Sequence, residues 1–162
     1  MIFGMTTYTV VHVVISLVAI ASGLIVLLGL LAAKKFGGWT ALFLVTTVAT
    51  CVTGFGFPFA RLLPSHIVGV ITLVACAVAI LALYIRRLAG AWRWIYVIST
   101  VVALYLNVFV LVVQAFLKVP ALNALAPTQT EGPFKLTQIV VLAIFILPCI
   151  VAAFRFHPEP GD

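Results

Sequence analysis

His12 and His66 are the side chains of this sequence with the widest chemical range, because an imidazole can bind a metal or exchange a proton near neutral pH. Each lies near the start of a long apolar segment. At similar depth on two parallel helices, the two rings would supply both axial ligands of one b-type haem, with Arg61 near its propionates. Two histidines are too few for a tetrahedral zinc site. The alternative is that each histidine only caps a helix or lies at the membrane interface.

Uncharged polar side chains suggest a second kind of site. The candidate ligand-binding residues of this type are Thr53, Asn107, Gln114 and Gln138. The fourth predicted span carries a stripe in steps of three and four residues, formed by Tyr96, Thr100, Ala103, Asn107, Val110 and Gln114. An unpaired amide in hydrocarbon costs several kcal/mol, so Asn107 and Gln114 should face partners inside a bundle. Hydrogen bonds between helices would satisfy them, and threonine hydroxyls such as that of Thr53 mostly bond back to their own helix. Lining a quinone or lipid pocket, with the phenylalanines of 55–59 as apolar walls, is the alternative.

Acidic chemistry has little support in this chain. The carboxylates are Glu131, Glu159 and Asp162, and none lies inside an apolar segment. Proton-coupled transport, paired-carboxylate catalysis and binding of hard cations normally need an acid within the membrane. The motifs of nucleophilic hydrolases and of zinc proteases are also absent from the sequence. These classes are therefore disfavoured, and no catalytic residue is assigned.

The elements that would position these residues are membrane helices. Of the 162 residues, 65% are hydrophobic and 7% are charged, against about 45–50% and 25% in soluble domains. We therefore predict an all-α, polytopic membrane bundle that forms one domain over 1–162. Its five predicted spans cover about 10–33, 39–57, 66–85, 91–118 and 136–154, and Pro148 should kink the last span.

Basic residues predict the orientation of these spans. One side of the membrane receives Lys34, Lys35, Arg86, Arg87, Arg93 and Arg155, and the other receives Arg61, Lys118 and Lys135. The positive-inside rule then places the amino terminus outside and the carboxyl terminus in the cytoplasm. The net charge of +6 serves topology rather than nucleic-acid binding, because it forms no extended basic surface.

This topology gathers the candidate residues in one half of the bilayer. Both histidines, Arg61, Thr53, Gln114 and Gln138 fall in the outer half, with Asn107 near the middle, and the inner half is expected to hold almost no polar side chain. Short loops, faces of small residues and the lack of a charged pathway favour a structural or accessory membrane subunit without its own catalysis. Its partners would be the lipid bilayer and a homo-oligomer or larger membrane complex. Haem binding and quinone or lipid binding remain the alternatives.

Three stretches carry a resemblance to known sequences. They are TGFGFPFARLLPSHIVG at 53–69, YLNVFVLVVQAFLKVPAL at 105–122 and APTQ at 126–129. With them, nearly the whole chain resembles a group of small hypothetical integral membrane proteins of Gram-negative bacteria. That resemblance implies a bacterial inner membrane. It transfers no functional residue, because the group has no assigned activity.

Overall fold

Residues 6–57 and 64–157 are described by a computed structural model of the chain. Within these ranges the helices are α1 (Thr7–Leu31), α2 (Gly37–Phe55), α3 (Pro64–Ile80), α4 (Trp92–Lys118), α5 (Pro120–Leu125) and α6 (Gly132–Arg155), and a π-helical turn, Leu81–Ile85, extends α3. All except the short α5 are long and apolar enough to cross a membrane, giving five such helices among the described residues. The prediction of an all-helical bundle with five candidate spans is confirmed.

Prolines account for the main differences between predicted and observed helix starts. Helix α6 begins at Gly132 rather than at 136, with Pro133 in its first turn, and α5 begins at Pro120. The first N–H groups of a helix have no acceptor within it, so a proline there loses no hydrogen bond. Helix α3 likewise begins at Pro64, two residues before the predicted start at 66, and Ser65 lies in its first turn.

Helix α4 is the centre of the bundle. It packs against α1, α3, α5 and α6, while α2 packs against α1 and α3. Its buried face includes Tyr96, Thr100, Ala103 and Asn107, four members of the stripe that sequence periodicity predicts for this span. Polar side chains on the central helix can form hydrogen bonds with the helices around it. An amide such as that of Asn107 is therefore tolerated inside the bundle.

Gly23 brings three helices close together. A Cβ atom at this position would lie 2.6 Å from Cδ1 of Leu104 on α4 and 2.8 Å from the ring of Phe43 on α2. Small residues permit this kind of close backbone approach between membrane helices. Gly23 and Ala19 are buried on α1, and His12, about two turns before Ala19 on the same side of the helix, is half-buried.

The outer surfaces of α3 and α6 are apolar. Exposed large side chains on these helices include Ile67, Val70, Val74, Leu136, Ile139, Ile144 and Leu147. Such a continuous apolar surface is suited to lipid or to another membrane protein. Helix α6 runs through Pro148 to Arg155. Proline provides no N–H for the helical hydrogen bond at that point, and the kink expected there stays a prediction.

The helices alternate in direction and define two ends of the bundle. We call the end where α1, α3 and α6 begin the histidine end, after His12 and His66. The opposite end is the tyrosine end, after Tyr96 near the start of α4. Ring contacts fix this arrangement: Phe116 near the end of α4 meets Phe134 near the start of α6, and Trp94 meets Phe154 at the other end. The tyrosine end carries Lys34, Lys35, Arg86, Arg87, Arg93 and Arg155; Lys118 and Lys135 lie at the histidine end.

Candidate functional site

His12 is oriented by the end of α2. Its Nδ1 lies 2.8 Å from Oγ1 of Thr53, and Thr53 Oγ1 donates to the carbonyl oxygen of Ala49 at 2.7 Å. A hydroxyl has a single proton, so Oγ1 accepts from His12 and the histidine carries a proton on Nδ1. In the neutral imidazole, Nε2 is then the nitrogen with a free lone pair. That atom is available to accept a hydrogen bond or to ligate a metal.

Tyr8 completes a clasp between α1 and α2. Its hydroxyl donates to the carbonyl oxygen of Thr53. The rings of Tyr8 and His12 both meet Phe57 edge-on, with centroids 5.0 and 5.1 Å away. A Cβ atom on Gly56 would overlap the Tyr8 hydroxyl, so a larger residue there would displace that hydroxyl from its position. Sequence reasoning missed Tyr8, although its spacing of four residues from His12 places both on one helical face.

His66 packs against a different ring of the same helix end. It is 7% exposed and stacks on Phe55 with a centroid distance of 5.6 Å and an interplanar angle of 18°. Gly69, one turn further along α3, lies beside the same ring, and a Cβ there would be in ordinary contact with it at 3.4 Å. Both histidines thus lie beside the end of α2, as the sequence predicts. Arg61 lies outside the described residues, and a shared haem stays a prediction.

Asn107 is a structural amide in the core. Its Nδ2 donates to Oγ1 of Thr47 on α2 and to the carbonyl oxygen of Ala103, each at 3.2 Å. The side chain is 9% exposed, so the hydrogen bond between helices that the sequence favours is confirmed for Asn107. Thr47 was missed, because the sequence pattern singled out Thr53, which lies on a different face of α2. On that face Thr53 bonds back to its own helix, as expected.

Gln114 does not face the interior. Its side chain is exposed, so the expectation that it meets partners inside the bundle is wrong. It lines a cleft of about 280 Å³ between α3, α4, the start of α6 and the connection before it. Valine and phenylalanine side chains form the walls of this Gln114 cleft, and its polar groups come from Ser65, Gln114, Thr128 and Gln129. The residues of the α4 stripe lie on one side of the helix throughout. That side is buried from Tyr96 to Asn107, but Val110 and Gln114 line the cleft.

The connection before α6 forms an ordered wall of the cleft. Glu131 accepts hydrogen bonds from the Thr128 amide at 3.2 Å, the Thr128 hydroxyl at 2.8 Å and the Thr130 amide at 3.0 Å. Gln129 donates from Nε2 to the Val113 carbonyl oxygen at 3.0 Å. Desolvation raises the pKa of the Glu131 carboxyl, but these hydrogen bonds outweigh it and hold the pKa below its usual value. An ionised Glu131 therefore organises this wall.

Gln138 lies one helical turn beyond Phe134, which is part of the cleft wall. It is 9% exposed. Its Nε2 donates to the carbonyl oxygen of Phe109, another wall residue, at 3.3 Å. Its Oε1 is buried and has no hydrogen-bond partner within the described part of the chain. A buried acceptor without a partner is uncommon in folded proteins and marks this position for closer attention.

Polar side chains are also buried at the tyrosine end. Thr40, Ser99, Thr100 and Tyr96 are each less than a tenth exposed, and the hydroxyls of Thr40 and Tyr96 lie 3.4 Å apart. The expectation that this half holds almost no polar side chain is therefore wrong. Hydroxyl groups on helices can be buried cheaply, because they bond to the preceding turn, as Ser99 does to Ile95.

The structure thus distributes the predicted residues over the bundle. His12 and Thr53 lie together at the clasp, Gln114 lines the cleft, Gln138 is buried between α6 and α4, and Asn107 is separate in the core, so these residues do not form one site. Within the described ranges, no group of three or more His, Cys, Asp or Glu side chains is placed to hold a metal ion. Comparisons with protein-family models, with curated proteins and with solved structures found no match. Function has to be inferred from the geometry of the chain itself.

Proposed function

We propose that this membrane protein is a structural or accessory subunit of a bacterial inner membrane, without catalysis of its own. The observation that supports this best is the Asn107–Thr47 pair. The central amide of the bundle bonds to a neighbouring helix and holds α4 to α2, so it serves the fold instead of a polar pathway. The apolar surfaces of α3 and α6 leave room for contact with a second copy or with another membrane protein.

Assembly is the direct test of this proposal. The tagged full chain is extracted from its native membrane in a mild detergent and analysed by native electrophoresis and mass spectrometry. We expect a stable homo-oligomer or a defined complex with another membrane protein. A chain that stays a lone monomer at native expression level, also after cross-linking in the intact membrane, would contradict a subunit role.

We further propose that the histidine end faces outward and the tyrosine end faces the cytoplasm. The larger number of Lys and Arg residues at the tyrosine end supports this orientation. The test uses chains without native cysteines and with one new cysteine, at Pro127 or at Gly37. An impermeant maleimide applied to spheroplasts should label the first and spare the second. The reverse labelling pattern would invert the topology.

Haem binding is a second candidate function, with His12 and His66 as the axial ligands. The observation that favours it is the Nε2 atom of His12, which the bond from Nδ1 to Thr53 leaves with a free lone pair. The purified protein from haem-replete cells would then show a Soret band that shifts on reduction. His12→Leu should remove the band, while His157→Leu at the tyrosine end should keep it. A colourless wild-type preparation would end this hypothesis.

A further inference from the structure

Arginines form a charged patch at the tyrosine end of the bundle. We call Arg86, Arg87, Arg93 and Arg155 the arginine cluster. Of the carboxylates in the sequence, Glu131 lies at the histidine end, and the others lie outside the described residues. Within the described ranges the cluster therefore has no ionic partner. Guanidinium groups without a carboxylate beside them favour an anionic ligand.

Two arginines of the cluster are held beside tryptophan rings. The guanidinium carbon of Arg86 lies 5.0 Å from the ring centre of Trp92, and that of Arg93 lies 5.9 Å from the ring centre of Trp94. Contact with a ring face positions a guanidinium without supplying a hydrogen-bond acceptor, so its N–H donors remain free for a ligand. The Nε atom of Arg93 is buried, which leaves the terminal nitrogens of this side chain for that role.

The connection between α3 and α4 gives the cluster a fixed backbone. The Leu88 amide donates to the Ala82 carbonyl oxygen at 3.0 Å, and the Trp92 amide donates to the Ala89 carbonyl oxygen at 3.1 Å. Leu88 also packs against the hydrophobic core. A ligand at these arginines does not have to order a loose segment, which lowers the entropic cost of binding.

Helix α6 brings Arg155 and an apolar surface to the same region. The ring of Phe154 meets that of Trp94, with centroids 5.1 Å apart, and Arg155 follows Phe154 directly. Ile85, Phe154 and Ile98, which lies one turn beyond Trp94, are exposed apolar side chains. Cations beside such side chains match an amphiphile, because its acyl chains cover a surface from which a soluble anion would gain nothing.

We propose that the arginine cluster binds the phosphate headgroup of an anionic phospholipid of the phosphatidylglycerol type. The arginines donate forked N–H groups to the phosphate oxygens, and the tryptophans lie at the level of the headgroups. A zwitterionic phospholipid has the same phosphate, but the cluster repels its ammonium group. The site depends neither on the subunit role nor on the orientation proposed above, because purified protein exposes both ends to added lipid.

Lipid titrations test this site on the full chain in a mild detergent. The probes are dioctanoyl phosphatidylglycerol, dioctanoyl phosphatidylcholine and inorganic phosphate, and bound lipid is measured by native mass spectrometry. We expect saturable binding of the phosphatidylglycerol, at least about fivefold tighter than that of the phosphatidylcholine, the contribution of one arginine near an anionic lipid. Added salt should reduce this preference, and inorganic phosphate at equal ionic strength should not displace the lipid beyond that effect.

Charge-matched variants locate the site. Arg86→Gln and Arg93→Gln should each weaken phosphatidylglycerol binding by about fivefold. Lys118→Gln and Lys135→Gln remove the same charge at the histidine end and should bind like the wild type. Arg86→Lys keeps the charge but loses the planar fork, so its affinity should lie between those of Arg86→Gln and the wild type. Circular dichroism checks that each variant is folded, and Arg86→Lys decides the matter if a glutamine variant is not.

The proposal is overturned by any of the following results. Equal binding of the two lipids would remove the selectivity for an anionic headgroup. Equal losses from variants at both ends would reduce the effect to the net charge of the protein. Displacement of the lipid by inorganic phosphate, beyond the effect of ionic strength, would identify a site for a soluble anion. Arg86→Lys with wild-type affinity would show that the guanidinium fork takes no part.

Discussion

Two tyrosines show how the ends of this bundle differ. At the tyrosine end, Tyr96 is 1% exposed and its ring lies 5.9 Å from that of Phe156. At the histidine end, Tyr8 is 42% exposed although its hydroxyl also has a partner, the Thr53 carbonyl. The first tyrosine fills a closed core, and the second fastens one helix to another at the surface. Both hydroxyls have a partner, so the two ends differ in how far the protein encloses the ring.

The sizes of the packed side chains explain this difference. Near the tyrosine end, Ala79, Ala82, Ala152 and Ala153 are buried on α3, its extension and α6, and small residues let membrane helices approach closely. Near the histidine end, the facing residues of α4 and α6 are aromatic, as in the pair Phe116–Phe134. The tyrosine end also has aromatic pairs, Trp94–Phe154 and Tyr96–Phe156, so the buried alanines, rather than a lack of rings, distinguish its packing.

Exchanging each tyrosine for alanine should give the largest difference in stability between the two ends. Tyr96→Ala should lower the free energy of unfolding by about 3–5 kcal/mol, because it leaves a large cavity in the core. Tyr8→Ala should lower it by only about 1 kcal/mol, mainly through the lost hydrogen bond. Unfolding of the full chain in mixed micelles measures both. Equal losses would show that the two ends are packed alike.

Gly23 tests the close approach of helices in the core. Gly23→Leu should lower the free energy of unfolding by about 1–3 kcal/mol, because the new side chain overlaps Leu104 and Phe43. Gly37→Leu is the matched control at the start of α2, where a Cβ meets nothing within 4 Å, and it should be nearly neutral. A neutral Gly23→Leu in the same unfolding assay would mean that α1 does not lie this close to α4.

The two buried amides should respond differently to removal. Asn107→Leu should cost about 0.6–1 kcal/mol in the free energy of unfolding, since it breaks the bond to Thr47 between helices. Gln138→Leu should cost less than about 0.5 kcal/mol, because the lost bond to the Phe109 carbonyl is offset by removal of a buried oxygen that lacks a described partner. A larger loss for Gln138→Leu than for Asn107→Leu would show that its oxygen is satisfied within the protein.

The smallest effect concerns Glu131. Because its pKa is lowered in the folded protein, its contribution to the order of the connection is present above the unfolded-state pKa. That contribution is lost as the pH falls through the lower, folded-state pKa. Hydrogen exchange of the Thr128 and Thr130 amides should therefore be slow near neutral pH and show less protection in acid. Glu131→Gln should remove this pH dependence, and a pH-independent wild type would contradict it.

The periodicity of the sequence predicted features that depend on a single helix, such as which of its sides is buried. The stripe of α4 from Tyr96 to Asn107 is buried as expected, because apolar and polar residues repeat with the helical turn. The predicted starts of α3 and α6 were too late, at 66 and 136 instead of Pro64 and Gly132. A proline suggests the end of a helix, although the first turn of a helix accepts it. Thr47 could not be chosen over its neighbours, because its role depends on which residue of α4 lies opposite.

The long apolar segments of the sequence were enough to predict a membrane bundle with five candidate spans. In hydrocarbon, the N–H and C=O groups of such a segment find hydrogen-bond partners only within its own helix. Tertiary structure alone decided where the polar side chains went. It placed Asn107 in a closed pair, turned Gln114 onto an open cleft and left Gln138 Oε1 without a described partner. These outcomes depend on the spacing between helices, which is set by the side chains packed between them rather than by any one segment.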